Sequence, residues 1–113
     1  MLTVDNLKEW GADVDEGLGR CMNNVDFYIR LVGMTVADKQ LDELAAALAE
    51  NDLDRGFELA HALKGMYGNL ALTPIYKPVY EMTELLRERT DTDYSALIGE
   101  AQRQKAALDE MAG

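Results

Sequence analysis

The sequence predicts an all-α fold: an antiparallel up-down four-helix bundle with short additional helices at its N-terminal end, forming one domain over residues 1–113. Three observations carry this. Apolar residues recur at three- and four-residue spacing almost throughout. Strict alternation of Val, Ile and Thr is absent, while Ala, Leu, Glu, Met, Lys and Arg dominate, residues that lose little freedom in a helix. The only prolines, Pro74 and Pro78, fall near one point and leave the rest of the chain unbroken. A chain of 113 residues can bury a core without disulfides or metals.

The elements follow in order. Thr3 to Trp10 reads as a short helix with Val4 and Leu7 inward, ended by Gly11. A second short helix is expected over Asp15 to Met22 with Leu18 inward, weakened by Gly17 and Gly19. Asn24 or Asp26 caps a third segment to about Val36, with Val25, Ile29 and Val32 as its stripe. Asp38 opens the next, where Ala37, Leu41, Leu44 and Leu48 are spaced four, three and four apart, and Asn51 ends it. Asp52 caps a long helix to about Leu72. Thr73-Pro74 reads as an N-cap followed by proline at the first helical position. That helix runs to Arg89 with Ile75, Val79, Met82 and Leu86 inward, and Pro78 either kinks it or marks its start. Asp91 or Asp93 caps a last helix whose stripe is Tyr94, Leu97, Ala101, Leu108 and Met111. The last four segments read as bundle helices of 14 or more residues joined by short loops.

Charge narrows the function classes. The net charge is −10, from 21 acidic and 11 basic residues. Such a surface lacks the basic stripe that duplex nucleic acid requires and is repelled by anionic lipid. A single cysteine, Cys21, allows no internal disulfide and no Cys-rich zinc site; its one basic neighbour is Arg20, so it reads as structural. No apolar run approaches the length of a membrane span, and the N-terminus lacks the basic and apolar regions of a secretory signal. A cytoplasmic protein is expected. Met22, Met34, Met66 and Met82 read as core filler, and Trp10 as the residue that packs the first helix on the bundle.

The segment with chemical content surrounds the only histidine, His61. On a helical wheel Leu59, Leu63, Met66 and Leu70 lie about 140° to 200° from it, so the core stripe points away from the imidazole. Its helical neighbours are Phe57, Lys64, Gly65 and Gly68. Two glycines on one helix face, each costing about 0.8–1 kcal/mol against alanine, clear side chains from beside the ring or allow a close helix contact. Lys64 places a cation one turn away, suited to an anion on the ring. No second His or Cys stands at metal-ligand spacing, and no nucleophile elbow supports a Ser-His-Asp triad. A surface histidine without chemistry stays open on the residues alone.

The string His61-Ala62-Leu63-Lys64-Gly65, followed by Gly68-Asn69-Leu70, resembles the signature of the histidine-containing phosphotransfer (HPt) domains. The Asn51-Asp52 turn, Phe57, Ala60, the helix after Thr73-Pro74 and the amphipathic tail share the resemblance, which spans nearly the whole chain. Ala71 departs from it, standing where the family often has glycine. The resemblance implies a phosphocarrier rather than a kinase: His61 accepts a phosphoryl group from a receiver-domain aspartate and passes it to another receiver. It further implies that Lys64 holds the phosphoryl oxygens, that Gly65 and Gly68 give clearance, and that Thr83, with Glu84 and Arg87 nearby, faces the same groove and orients the ring. Expected partners are response-regulator receivers and a hybrid histidine kinase. No cofactor of the chain's own is expected, since Mg²⁺ sits on the receiver and the sequence has no Walker-type phosphate loop. A monomer is expected. Two other readings keep the bundle: a non-catalytic interaction module, against which His61 and Lys64 argue, and the phosphoacceptor domain of a chemotaxis-type kinase, against which Met1 and Gly113 suggest a free-standing protein.

Overall fold

Local hydrogen bonding accounts for most helix starts. The computed structural model describes residues 1–113 and contains seven helices and no strand: α1 (Val4–Trp10), α2 (Val14–Arg20), α3 (Val25–Ala37), α4 (Gln40–Ala49), α5 (Leu53–Asn69), α6 (Thr73–Arg87) and α7 (Ser95–Ala112). Thr3 and Asn6 form a reciprocal capping box, each accepting the other's backbone N–H at 3.0 and 2.9 Å. Asp13, Asn24 and Asp52 each accept the third N–H of the helix they open, α2, α3 and α5. Asp38 takes the Gln40 N–H at 2.8 Å before α4, and Asp93 takes the Ser95 N–H at 2.9 Å before α7. Hydrogen bonds from Ser95 hold the Asp93 carboxyl below the usual carboxylate range.

α4 packs on α5, α5 on α6 and α6 on α7, while α3 lies against α7. The turns at 50–52 and 70–72 are three residues each, so the helices they join run antiparallel. Leu44, Leu63, Ile75, Met82, Leu86 and Leu108 are wholly buried at the centre, each contributing about 1.5–3 kcal/mol. Two long polar contacts tie the N-terminal helices to α7. Trp10 donates its indole N–H to Gln104 at 3.0 Å, and Lys105 donates to the Val36 carbonyl at the end of α3 at 3.0 Å. No helix is long and apolar enough to cross a membrane.

The expected bundle is present, with several corrections. α4 has 10 residues, not 14 or more, because Asp38 and Lys39 lie before it and Asn51, at φ 57°, closes the turn after it. Val25 is 46% exposed, and Tyr28 takes the core position. Met22 and Met34 are not core filler: they are 86% and 62% exposed. Met22 sits in a left-handed turn between α2 and α3, and Met34 lies off the buried Tyr28–Val32–Thr35 stripe. Thr73 does not cap α6. It is the first helical residue, with Leu72 as N-cap and Pro74 one position later than expected. Pro78 neither starts nor splits α6, which runs through it to Arg87; Arg89 lies beyond, at φ 51°.

Gly17 has a steric reason that the sequence alone did not show. A Cβ there would stand 2.6 Å from the Tyr28 ring and 2.7 Å from the Leu70 carbonyl. The Tyr28 hydroxyl donates to that same carbonyl at 3.0 Å. Burial, with Cys21 and Asp13 adding, pushes this phenol up to about 12. Thus α2 and α3 clamp the C-terminal end of α5. The turn that follows places Ala71 at φ 56°, the left-handed region that favours glycine, while Leu72 N–H bonds back to the Tyr67 carbonyl at 3.0 Å.

Gly17→Ala is expected to lower stability by about 1–3 kcal/mol through overpacking, read as a lower denaturation midpoint. Ala71→Gly is expected to raise stability by about 1 kcal/mol in the same measurement, since glycine relieves the left-handed conformation. An unchanged midpoint in either variant would contradict the geometry assigned to that residue.

Candidate functional site

The site is the uncovered face of α5. Leu59, Ala60, Leu63 and Tyr67 bury the opposite face, with Met66 only half-buried beside them. His61 therefore projects outward from mid-helix and is exposed. No side chain or backbone group of the protein hydrogen-bonds either ring nitrogen. The ring is stacked on Phe57, one helical turn earlier, with centroids 5.7 Å apart and planes at 24°. Phe57 in turn lies under two guanidinium groups, those of Arg87 at 5.3 Å and Arg89 at 5.0 Å from its centroid. Glu84 pairs with Arg87 at 3.3 Å, and Asp54 of α5 pairs with Arg89 at 2.6 Å.

Beyond His61 toward the end of α5 lies an open groove of 620 Å³. Lys64, Gly65, Gly68 and Asn69 form one wall, and Tyr76 and Lys77 of α6 the other. Arg20 of α2 reaches across to the Gly68 carbonyl and pairs with Glu16. Lys64 is in no ion pair; its ammonium lies 5.4 Å from the centre of the Tyr80 ring. The rim thus carries Lys64 and Lys77 together with the Arg20–Glu16 ion pair, on a chain of net charge −10. No group of three or more His, Cys, Asp or Glu side chains is placed to hold a metal ion.

His61, Lys64, Gly65 and Gly68 share one face, but the two glycines differ. A Cβ on Gly65 would meet nothing within 4 Å. A Cβ on Gly68 would stand 2.8 Å from the Tyr76 ring, so that space is filled by α6 and Gly68 is a packing glycine. Thr83 corrects a further expectation. It is fully buried, and its hydroxyl donates to the Val79 carbonyl at 2.7 Å rather than to His61. Its side chain is too short to emerge from between the helices. Glu84 and Arg87, expected toward the same groove, are exposed but do not line it; Arg87 reaches the site through Phe57 instead. Sequence reasoning assigned no role to Tyr76, Lys77 or Tyr80. The four-residue spacing of Tyr76 and Tyr80, whose rings lie 5.9 Å apart, was the available signal. Arg20 carried none, since its approach depends on how α2 folds back.

An exposed, unengaged imidazole in open space can act as a nucleophile when neutral. A family model described as Hpt domain matches residues 34–112, which hold the end of α3 and all of α4 to α7. No curated protein and no solved structure matches the chain.

The two glycines separate in a melting experiment. Gly65→Ala is expected to stabilise by about 0.5–1 kcal/mol, the ordinary helix gain in open space. Gly68→Ala is expected to lose that gain and destabilise, because Tyr76 must move. Equal midpoints for the two variants would contradict the packing role of Gly68.

Proposed function

Because the chain belongs to the Hpt domain family, whose role is phosphotransfer in two-component signalling, we propose that it is a phosphocarrier of a multistep relay with His61 as acceptor. The observation that carries this reading is the exposed, unpaired imidazole midway along a helix that is buried only on its far side. In the forward step a neutral ring nitrogen attacks the phosphorus of a receiver's aspartyl phosphate. The N–P bond forms, the P–O bond to the aspartate breaks, the carboxylate leaves, and the ring's other nitrogen gives its proton to solvent. A second receiver aspartate reverses these events. On this reading Lys64, whose ammonium lies over Tyr80, swings toward the phosphoryl oxygens. Open space at Gly65 admits the partner's loop, and Gly68 acts indirectly by seating Tyr76. The partners are receiver domains, one of them on a hybrid kinase, and the receiver's Mg²⁺ supplies charge neutralisation.

Incubation with radiolabelled phosphorylated receivers tests this reading. Wild-type protein is expected to take label in an acid-labile, base-stable form. His61→Gln is expected to take none, while its stability stays within about 1 kcal/mol, the scale of one aromatic stack. Label retained by folded His61→Gln would move the acceptor elsewhere and overturn the assignment.

A further inference from the structure

We infer that Phe57 is the positioning residue of His61, an inference that rests on the phosphotransfer reading. In-line transfer needs the attacking nitrogen held at a defined angle to the phosphorus. A histidine ring on an exposed helix face turns broadly about its second side-chain torsion unless something fixes it. Hydrogen bonds from the protein do not: neither nitrogen is engaged, and the one polar side chain expected to orient the ring, Thr83, is buried and bonded to Val79. What the ring does have is a near-parallel stack on Phe57. That stack leaves both nitrogens at the ring's edge free while opposing rotation of its plane.

Phe57 is itself held. It is half-buried, and two guanidinium groups lie over it, that of Arg87 at the end of α6 and that of Arg89 just beyond it. Each guanidinium has a carboxylate partner, Glu84 for Arg87 and Asp54 for Arg89, and Arg89 also donates to the Leu86 carbonyl at 2.7 Å. The order of contact runs from the end of α6 through Arg87 and Arg89 to Phe57 and then to the imidazole. Cations near a planar apolar ring orient it without competing for the histidine nitrogens. The effect on His61 is geometric. Phe57 touches no phosphoryl oxygen and transfers no proton.

The test uses Phe57→Leu, which keeps apolar bulk and helix propensity, and Phe57→Tyr, which restores the ring. Two phosphoryl sources are compared: a phosphorylated receiver, which docks and demands one ring orientation, and phosphoramidate, a small donor that meets the ring from any side. With phosphoramidate the N–P bond to His61 forms as the donor's P–N bond breaks and ammonia leaves. Phe57→Leu is expected to slow transfer from the receiver about tenfold, to leave the phosphoramidate rate within twofold, and to melt cooperatively. Phe57→Tyr is expected to restore the receiver rate. In proton NMR the His61 ring protons are expected upfield in wild type and Phe57→Tyr, and shifted downfield in Phe57→Leu. Equal receiver rates in wild type and Phe57→Leu would overturn the positioning role while leaving the acceptor assignment intact. Equal slowing with both donors would also overturn it, as the mark of a general structural effect. A wild type that accepts phosphate from no receiver but shows the upfield ring shift would overturn the phosphotransfer reading instead, and the role of Phe57 in transfer with it.

Discussion

Everything at the site depends on α5 being buried on one side only. Leu59, Ala60, Leu63 and Tyr67 fix its inner face between α4 and α6, and with 17 residues it is long enough to place His61 far from either end. Its two ends are secured by different means. Asp52 caps the first turn, while the last is gripped by Tyr28, which hydrogen-bonds the Leu70 carbonyl across the space that Gly17 leaves open. The backbone beneath the imidazole is therefore held at both ends. A reactive group on a packed helix is held more precisely than one on a loop.

The outer face then divides in two around His61. On the side toward the start of α5, Phe57 and the arginines at the end of α6 form an apolar and cationic support. On the other, Gly65 opens the groove that Tyr76 and Lys77 bound. Helix propensity is given up for this, about 0.8–1 kcal/mol at each glycine. The two losses serve different ends: at Gly65 nothing in the protein fills the space, and at Gly68 a ring does. On the phosphotransfer reading, Lys64 and Lys77, beside the groove and in no ion pair, favour an anionic partner locally on an otherwise acidic chain.

Periodicity and caps made the bundle legible. The stripe Ile75, Val79, Met82 and Leu86 and the caps at Asp52 and Asn24 are where spacing and local hydrogen bonding dictate them. The misses share a physical ground: sequence describes each helix by itself, not the neighbours it packs against. The resemblance put Thr83 toward the groove, but only the packed structure shows so short a side chain wholly buried and bonded to the Val79 carbonyl. The helical wheel grouped Gly65 with Gly68 because only the neighbouring helix distinguishes them. Met22 and Met34 read as core by composition, yet their backbone positions turn them to solvent. The support under His61 drew on Phe57, four residues away, and on Arg87 and Arg89, more than twenty-five residues away in sequence. The first was visible as a helical neighbour; the latter required the packing of α6 on α5.

The central claim is that phosphate travels on the imidazole nitrogen of His61. The most direct measurement is phosphorus NMR of protein carrying nitrogen-15 in its single histidine, recorded after incubation with a phosphorylated receiver at neutral pH. One new phosphoramidate resonance is expected, split by coupling to a ring nitrogen and lost on mild acid treatment. A resonance without that coupling, or one that survives acid as a phosphoester, would contradict the claim.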